Sequence, residues 1–334
     1  MAYNTPSAVH FDAPLTNLTL AWMGEQRMVH SEVFPVVNVA KQSDLYYLYD
    51  PDQMHREGDV TEIAPRTEVP EFGLTQSLDS YFARVYGLGA SFDDQMLANE
   101  DTQLETRSVT AQALANKIML ERERRWANTF FTTSVWDTEI TGISGTTPGA
   151  TEATHWSNYT NSDPILDVTN MRRSIQLQSY GYKPNVMVIG KEVRDKLINH
   201  PKILARLNGG ATVTNTALVT DAKLAEIFEV EKFLTMETVS NTGKEGLAPV
   251  KGFIGGKNAL LAYTPSSVGL MTPAAGLTYA WNAIDGANFG MTVESFRGDF
   301  LKIKGIEEKI QVKYAYDMKA VGTQLGGFFN GIVA

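Results

Sequence analysis

The sequence predicts an α+β fold built on one long helix and a projecting β-ribbon. Three observations lead there. The run Thr102–Val135 holds neither glycine nor proline. Two β-rich stretches, Val36–Tyr49 and Phe72–Leu88, flank a charged segment. A closing stretch from Ile306 alternates with period two.

The long helix is the clearest element. Leu104, Ala111, Leu114 and Ile118 recur at helical offsets, and Met119, Trp126 and Phe130 continue on a shifted stripe. Thr102 and Glu105 stand at capping-box spacing. A helix over 102–135 would span about 50 Å at about 1.5 Å per residue. In Phe72–Leu88 the even positions (Phe72, Leu74, Gln76, Leu78, Ser80, Phe82, Arg84, Tyr86, Leu88) read as the apolar face of a strand, and the odd positions begin Gly73, Thr75, Ser77, Asp79. Pro51–Pro70 carries Asp52, Arg56, Glu57, Asp59, Glu62, Arg66 and Glu68, which makes it the charged tip of a two-stranded ribbon. A ribbon of this kind is marginal alone in water, so it implies a partner surface.

Before the ribbon, Pro6, Pro14 and Pro35 break up an extended arm with one short helix near Leu15–Met23. After the long helix, Thr132–Asp163 is rich in Thr, Gly and Ser and reads as a loop or small insertion. A mixed α/β region follows: helices at Asp167–Tyr180, Lys191–Asn199 and Asp221–Phe228, and strands at Val186–Ile189, Lys232–Val239 and Ala259–Tyr263. In the final strand Ile306, Ile310, Val312, Tyr314 and Tyr316 share one parity, and Lys309, Gln311 and Lys313 the other.

Composition narrows the function. The chain has 334 residues, 43% hydrophobic and 20% charged, enough for a sizeable core. No stretch reads as a membrane span, and Met1–Leu20 lacks a basic start followed by an apolar run, so no membrane partner and no secretory signal are expected. There is no cysteine, hence no disulfide, thiol catalysis or cysteine metal site, in keeping with a reducing cytoplasm. A net charge of −9 and a pI near 5.2 argue against nucleic-acid binding as the main task.

Catalytic patterns fail when tested. Gly252-Phe-Ile-Gly-Gly256-Lys257-Asn258 has the wrong glycine spacing for a phosphate loop and lacks its hydroxyl, so it reads as a tight turn before a strand. The five histidines (His10, His30, His55, His155, His200) stand singly, without zinc-pair spacing. Asp93-Asp94 and Glu100-Asp101 suit the N-terminal end of the helix dipole better than acid–base chemistry, Glu307-Glu308 shows no cleft, and Arg297-Gly298-Asp299 reads as a turn. No catalytic residue, cofactor or metal site is assigned. The Arg122, Arg124, Arg125 cluster is expected to bridge to Glu121 and Glu123 or to meet an adjacent subunit, ahead of nucleic-acid contact.

Several stretches resemble the major capsid proteins of tailed bacteriophages, whose fold is the HK97 type. Asp93-Asp94 with Glu100, Leu104 and Glu105 is similar to their lead into a spine helix, and Leu120–Glu123 to its second half. Trp156-Ser157 with Asp163-Pro164-Ile165 resembles their approach to the A-domain. Tyr263-Thr264-Pro265 resembles a strand end before a Pro/Gly-rich stretch that finishes near Trp281, and Tyr316–Val321 the closing segment. The resemblance runs from about Val36 to Val321. It implies an N-terminal arm (1–40), an E-loop (41–75), a P-domain (76–163) including the spine helix 102–135, an A-domain (164–290), and a return to the P-domain (291–334).

The resemblance also implies a protein that is not an enzyme. It would assemble with itself as hexamers and pentamers into an icosahedral head, beside a portal protein, a separate scaffolding protein and a decoration protein. Packaged double-stranded DNA would be met by non-specific proximity. The chain would be assembled in the bacterial host cytoplasm and would reside in the virion. Expected intersubunit contacts are Arg56, Glu57, Arg66, Glu68, Arg122, Arg124 and Arg125. The alternatives are an encapsulin-like compartment shell and, from another class, an α/β hydrolase or binding protein.

Overall fold

The computed structural model describes residues 10–11, 28–49, 51–73, 75–93, 103–207, 219–244, 246–269, 272–282, 292–297 and 306–334. The short helix expected near Leu15–Met23 and the turn at Gly298-Asp299 lie outside them. In chain order the elements are β1 (His10–Phe11), α1 (His30–Val33), β2 (Val36–Val39), β3 (Ser43–Tyr49), α2 (Pro51–Met54), β4 (Gln76–Phe82), β5 (Arg84–Asp93) and α3 (Gln103–Phe130). Then come β6 (Thr138–Ile143), β7 (Glu152–Thr154), α4 (Pro164–Gln178), β8 (Val186–Gly190), α5 (Lys191–Ile198), α6 (Pro201–Leu207) and α7 (Asp221–Phe228). The rest are β9 (Lys232–Met236), β10 (Val239–Asn241), β11 (Lys251–Phe253), β12 (Ala259–Ala262), β13 (Gly276–Trp281), β14 (Thr292–Arg297), β15 (Ile306–Ala320) and β16 (Gly326–Asn330).

The expected return strand is β15, and it organises the first sheet. It pairs antiparallel with β5, with β14 and with β13, which in turn pairs parallel with β2. Its predicted parity holds: Ile310, Val312, Tyr314, Tyr316 and Met318 are buried, and the cluster they join includes Leu114, Ile118, Trp126 and Phe130 of α3. Alternation thus sets which face of the strand meets the long helix.

That helix ends at Phe130, about 42 Å long at about 1.5 Å per residue, and not at Val135. The chain turns away because the Trp136 indole N–H returns to cap the Phe130 carbonyl at 2.8 Å, and Ser134 takes a left-handed φ of 64°. Helical apolar spacing persists to Phe131, so periodicity could not reveal the stop.

The second sheet runs β7-β6-β16-β12-β8-β9. β8 is buried along its whole length because both of its faces are covered. Val186 and Val188 join the core containing α3, whereas Met187 and Ile189 join Met171 and Ile175 of α4, Val193 and Leu197 of α5, and Phe228 of α7. Thr132–Asp163, expected to be a loop or small insertion, holds β6 and β7, and β6 pairs parallel with β16. The last strand, β16, joins this second sheet and not the sheet of β15. A further helix, α6, opens at Pro201 directly after α5, beyond the helix expected over Lys191–Asn199. The turn at 254–257 before β12 is as read from the sequence.

Candidate assembly surfaces

The ribbon forms where predicted, by antiparallel pairing of β3 with β4 from Ser43↔Phe82 to Tyr49↔Gln76. It therefore runs to Phe82, past the expected boundary at 75. The single stretch Phe72–Leu88 is broken at Ala83, whose N–H donates to the Gln42 carbonyl at 2.8 Å while the Gln42 amide donates back to the Ala83 carbonyl at 3.2 Å. This clasp separates β4, in the ribbon, from β5, in the main sheet.

The pairing sorts the ribbon side chains onto two faces. One face meets the subunit itself. Tyr81 stacks on Tyr279 at 4.6 Å, and Tyr46 lies 5.6 Å from the same ring. The Tyr46 hydroxyl donates to Asp79 at 2.5 Å, and Lys319 Nζ reaches the same carboxylate at 3.0 Å. The Tyr46 hydrogen bond, helped by Ser80 N–H and Lys319, holds the Asp79 carboxyl below its ordinary range, against the effect of burial. Burial pushes the Tyr279 hydroxyl up to about 12.

The other face carries Leu45, Tyr47, Leu78 and Phe82, which are 58%, 63%, 56% and 52% exposed. The apolar even positions of β4 therefore point away from the subunit core, where an inward apolar face would be the usual arrangement. An apolar stripe left open on a projecting ribbon marks a contact surface. Beyond it residues 54–73 are exposed, including Arg56, Glu57, Arg66 and Glu68, along with the apolar Val60, Val69 and Phe72.

The arginine cluster divides. Arg122 is buried, its guanidinium 5.7 Å from the Tyr316 ring centre, so it has no surface to offer a neighbour. That corrects its placement among intersubunit contacts. Burial lowers its pKa, with Tyr316 and Tyr314 acting in the opposite sense. Arg124 and Arg125 share the Glu121 carboxylate at 2.9 and 2.8 Å, and Arg125 lies 4.0 Å above the Tyr86 ring. These two arginines line an open hollow of about 250 Å³ with Tyr86, Tyr316 and Asp317. Glu123, between them in sequence, is fully buried and accepts from His30 Nδ1 and from two backbone N–H groups, Val29 and His30. Sequence reasoning missed this tie because its partners lie 93 and 94 positions apart.

The arrangement that most resembles catalytic machinery is Ser162 beside His200, 3.0 Å apart and buried. The Lys202 N–H donates to His200 Nδ1, so the ring proton sits on Nε2 and points at the serine oxygen. The serine hydroxyl itself donates to the Asn158 carbonyl at 2.7 Å. With the imidazole donating to the hydroxyl, the ring cannot take its proton, and the pair is a structural lock. Among the described residues no cluster of three His, Asp or Glu side chains is arranged to hold a metal, and no helix is long and apolar enough to cross a membrane.

No family model matches the chain. The major capsid protein of Pseudomonas phage JBD67 is 24% identical over 333 residues, 97% of each chain. A phage-related protein from Bordetella bronchiseptica superposes with a TM-score of 0.67 at 18% identity, covering 97% of this chain and 98% of that one. The capsid protein of cyanophage P-SCSP1u superposes with a TM-score of 0.54 at 10% identity, covering 91% and 88%. The HK97-type fold, the outward ribbon and this near-full-length similarity together make the chain similar to the major capsid proteins of tailed phages and support a capsid shell protein.

Proposed function

We propose that this shell protein assembles as hexamers and pentamers into the icosahedral head of a tailed phage, around double-stranded DNA. The observation that carries the reading is the open apolar stripe Leu45, Tyr47, Leu78 and Phe82 on the ribbon. These side chains are already about half covered in the subunit, so completing the burial of each is worth roughly 1–2 kcal/mol. A subunit that gives one ribbon and receives another shares each contact with a neighbour, so the shell gains one ribbon contact per subunit, and closed symmetry repeats it throughout.

In this reading the tip residues Arg56, Glu57, Arg66 and Glu68 and the helix residues Arg124 and Arg125 lie at subunit boundaries. A portal protein, a separate scaffolding protein and a decoration protein complete the head, which is assembled in the host cytoplasm. The DNA is enclosed without being gripped, as suits a chain of net charge −9.

Electron microscopy of the purified protein, with and without its scaffold, tests this. Closed shells or isolated capsomers are expected. A monomer at every concentration, scaffold included, would contradict it. Particles filled with a cargo enzyme in place of nucleic acid would point to a compartment shell.

A further inference from the structure

The ribbon is fastened to its own subunit at two points of different character. At the root, Tyr46 and Tyr81 sit on Tyr279, and Asp79 pairs with Lys319. This is a broad, partly buried joint. The second fastening lies beyond the far end of the paired strands, where α2 and His55 begin the tip. The His55 ring stacks on the Tyr180 ring at 4.3 Å with 12° between their planes. The Tyr180 hydroxyl donates to Asp52 at 2.7 Å. Both contacts join exposed groups.

Tyr180 is set up to receive the tip. It follows α4 with a left-handed φ of 55°, and Gly181 continues at 107°. A left-handed tyrosine is uncommon and is stabilised here by the helix end, where the Gly181 N–H returns to the Gln176 carbonyl at 2.8 Å. The turn carries the ring out beyond the last residue of α4, where the tip of the ribbon meets it. Gln53 helps to shape that tip by donating to Thr75 Oγ1 at 2.8 Å and accepting its N–H at 2.9 Å.

A ribbon whose tip rests on Tyr180 of its own subunit cannot at the same time extend across a neighbour. The root can stay in place through assembly, but the tip contact must open. We propose that Asp52 and His55 on Tyr180 form a resting latch, which holds the ribbon against its own subunit before assembly and releases it to a neighbouring copy. The inference rests on the reading of the ribbon as an intersubunit arm. The chemistry suits a reversible catch: a hydrogen bond between exposed groups shifts a population by only about two- to tenfold, so the closed position is favoured yet readily left. The apolar stripe then supplies the larger gain once a neighbour covers it.

The chain has no cysteine, so the variant Met54→Cys/Leu177→Cys, at exposed positions beside the contact, carries only the two introduced thiols and keeps Asp52, His55 and Tyr180 in place. The probe is a short bis-methanethiosulfonate crosslinker, cleavable by reduction, applied to unassembled protein. The latch predicts an efficient intramolecular crosslink, no particles from the crosslinked protein, and particles again after reduction. Tyr180→Ala, which removes the seat, is expected to speed particle growth by about threefold or more in light scattering. A failed crosslink, crosslinked protein that assembles at the normal rate, or a Tyr180→Ala variant no faster than the parent would each overturn the latch while leaving the shell reading intact. Absence of particles from every sample, the parent included, would overturn both.

Discussion

Glu123 Oε2 lies 2.8 Å from His30 Nδ1, with both side chains shut away from water, and the same carboxylate takes the N–H groups of Val29 and His30. One side chain of α3 thereby fastens the start of α1 to the core. Phe34 follows on the same segment and packs on Phe130 at 4.6 Å.

Removing the carboxylate leaves two backbone donors and an imidazole buried without their acceptor. Glu123→Ala is expected to cost roughly 3 kcal/mol or more, the loss typical of breaking a buried pair. Urea unfolding of the unassembled subunit measures it. A loss under about 1 kcal/mol would mean that solvent already reaches this tie.

The two buried histidines predict a definite pH response. Burial lowers the pKa of His30, with Arg122 adding to it and the Glu123 hydrogen bond opposing it. Burial also lowers that of His200, with Lys202 adding and Asp163 opposing. The unfolded chain therefore binds a proton at each site more readily than the folded one. Their contribution is fully present above the unfolded value of 6.5 and is lost as pH falls through the lower folded values. The slope below about pH 6.5 approaches at most about 1.4 kcal/mol per pH unit for each group. Unfolding followed from pH 8 to pH 5 should show that decline, and His200→Asn should make it shallower. An unchanged slope in that variant would contradict the assignment of His200.

Gly326 opens β16 directly against the Trp136 ring. A Cβ there would stand 2.1 Å from a ring carbon, held by an indole that caps α3. Gly326→Ala is expected to destabilise by about 1–3 kcal/mol or more through overpacking, seen as a lowered Tm. An unchanged Tm would show that the indole has room to move.

At the ribbon tip, Arg56 and Arg66 are exposed. Arg56→Glu with Arg66→Glu should leave the circular dichroism and Tm of the subunit within error and sharply reduce particle yield. Normal particles from this double variant would remove these arginines from the boundary.

Much of this architecture was legible before any coordinates, and the reasons are local. β15 and the ribbon alternate strictly, so parity alone placed Ile310 and Val312 inside. α3 could be read from its unbroken helical spacing, but not its end, because the Trp136 cap acts across a turn. β6 was hidden because its parallel partner, β16, lies far away in the chain and no hairpin turn marks the pairing. The apolar parity of β4 was visible, but not its direction: only the stacking of Tyr46 and Tyr81 on Tyr279 shows that Leu78 and Phe82 face outward. Arg122 and Arg124 look alike in sequence, and only packing against Tyr316 buries one of them.

The central claim is that the outward face of the ribbon is made for a second copy of this chain. Cryo-electron microscopy of assembled particles, at a resolution that shows side chains, tests it most directly. The account predicts closed shells in which Leu45, Tyr47, Leu78 and Phe82 are buried against an adjacent subunit. Particles in which those four side chains face solvent, with the ribbon still lying on its own subunit, would contradict it.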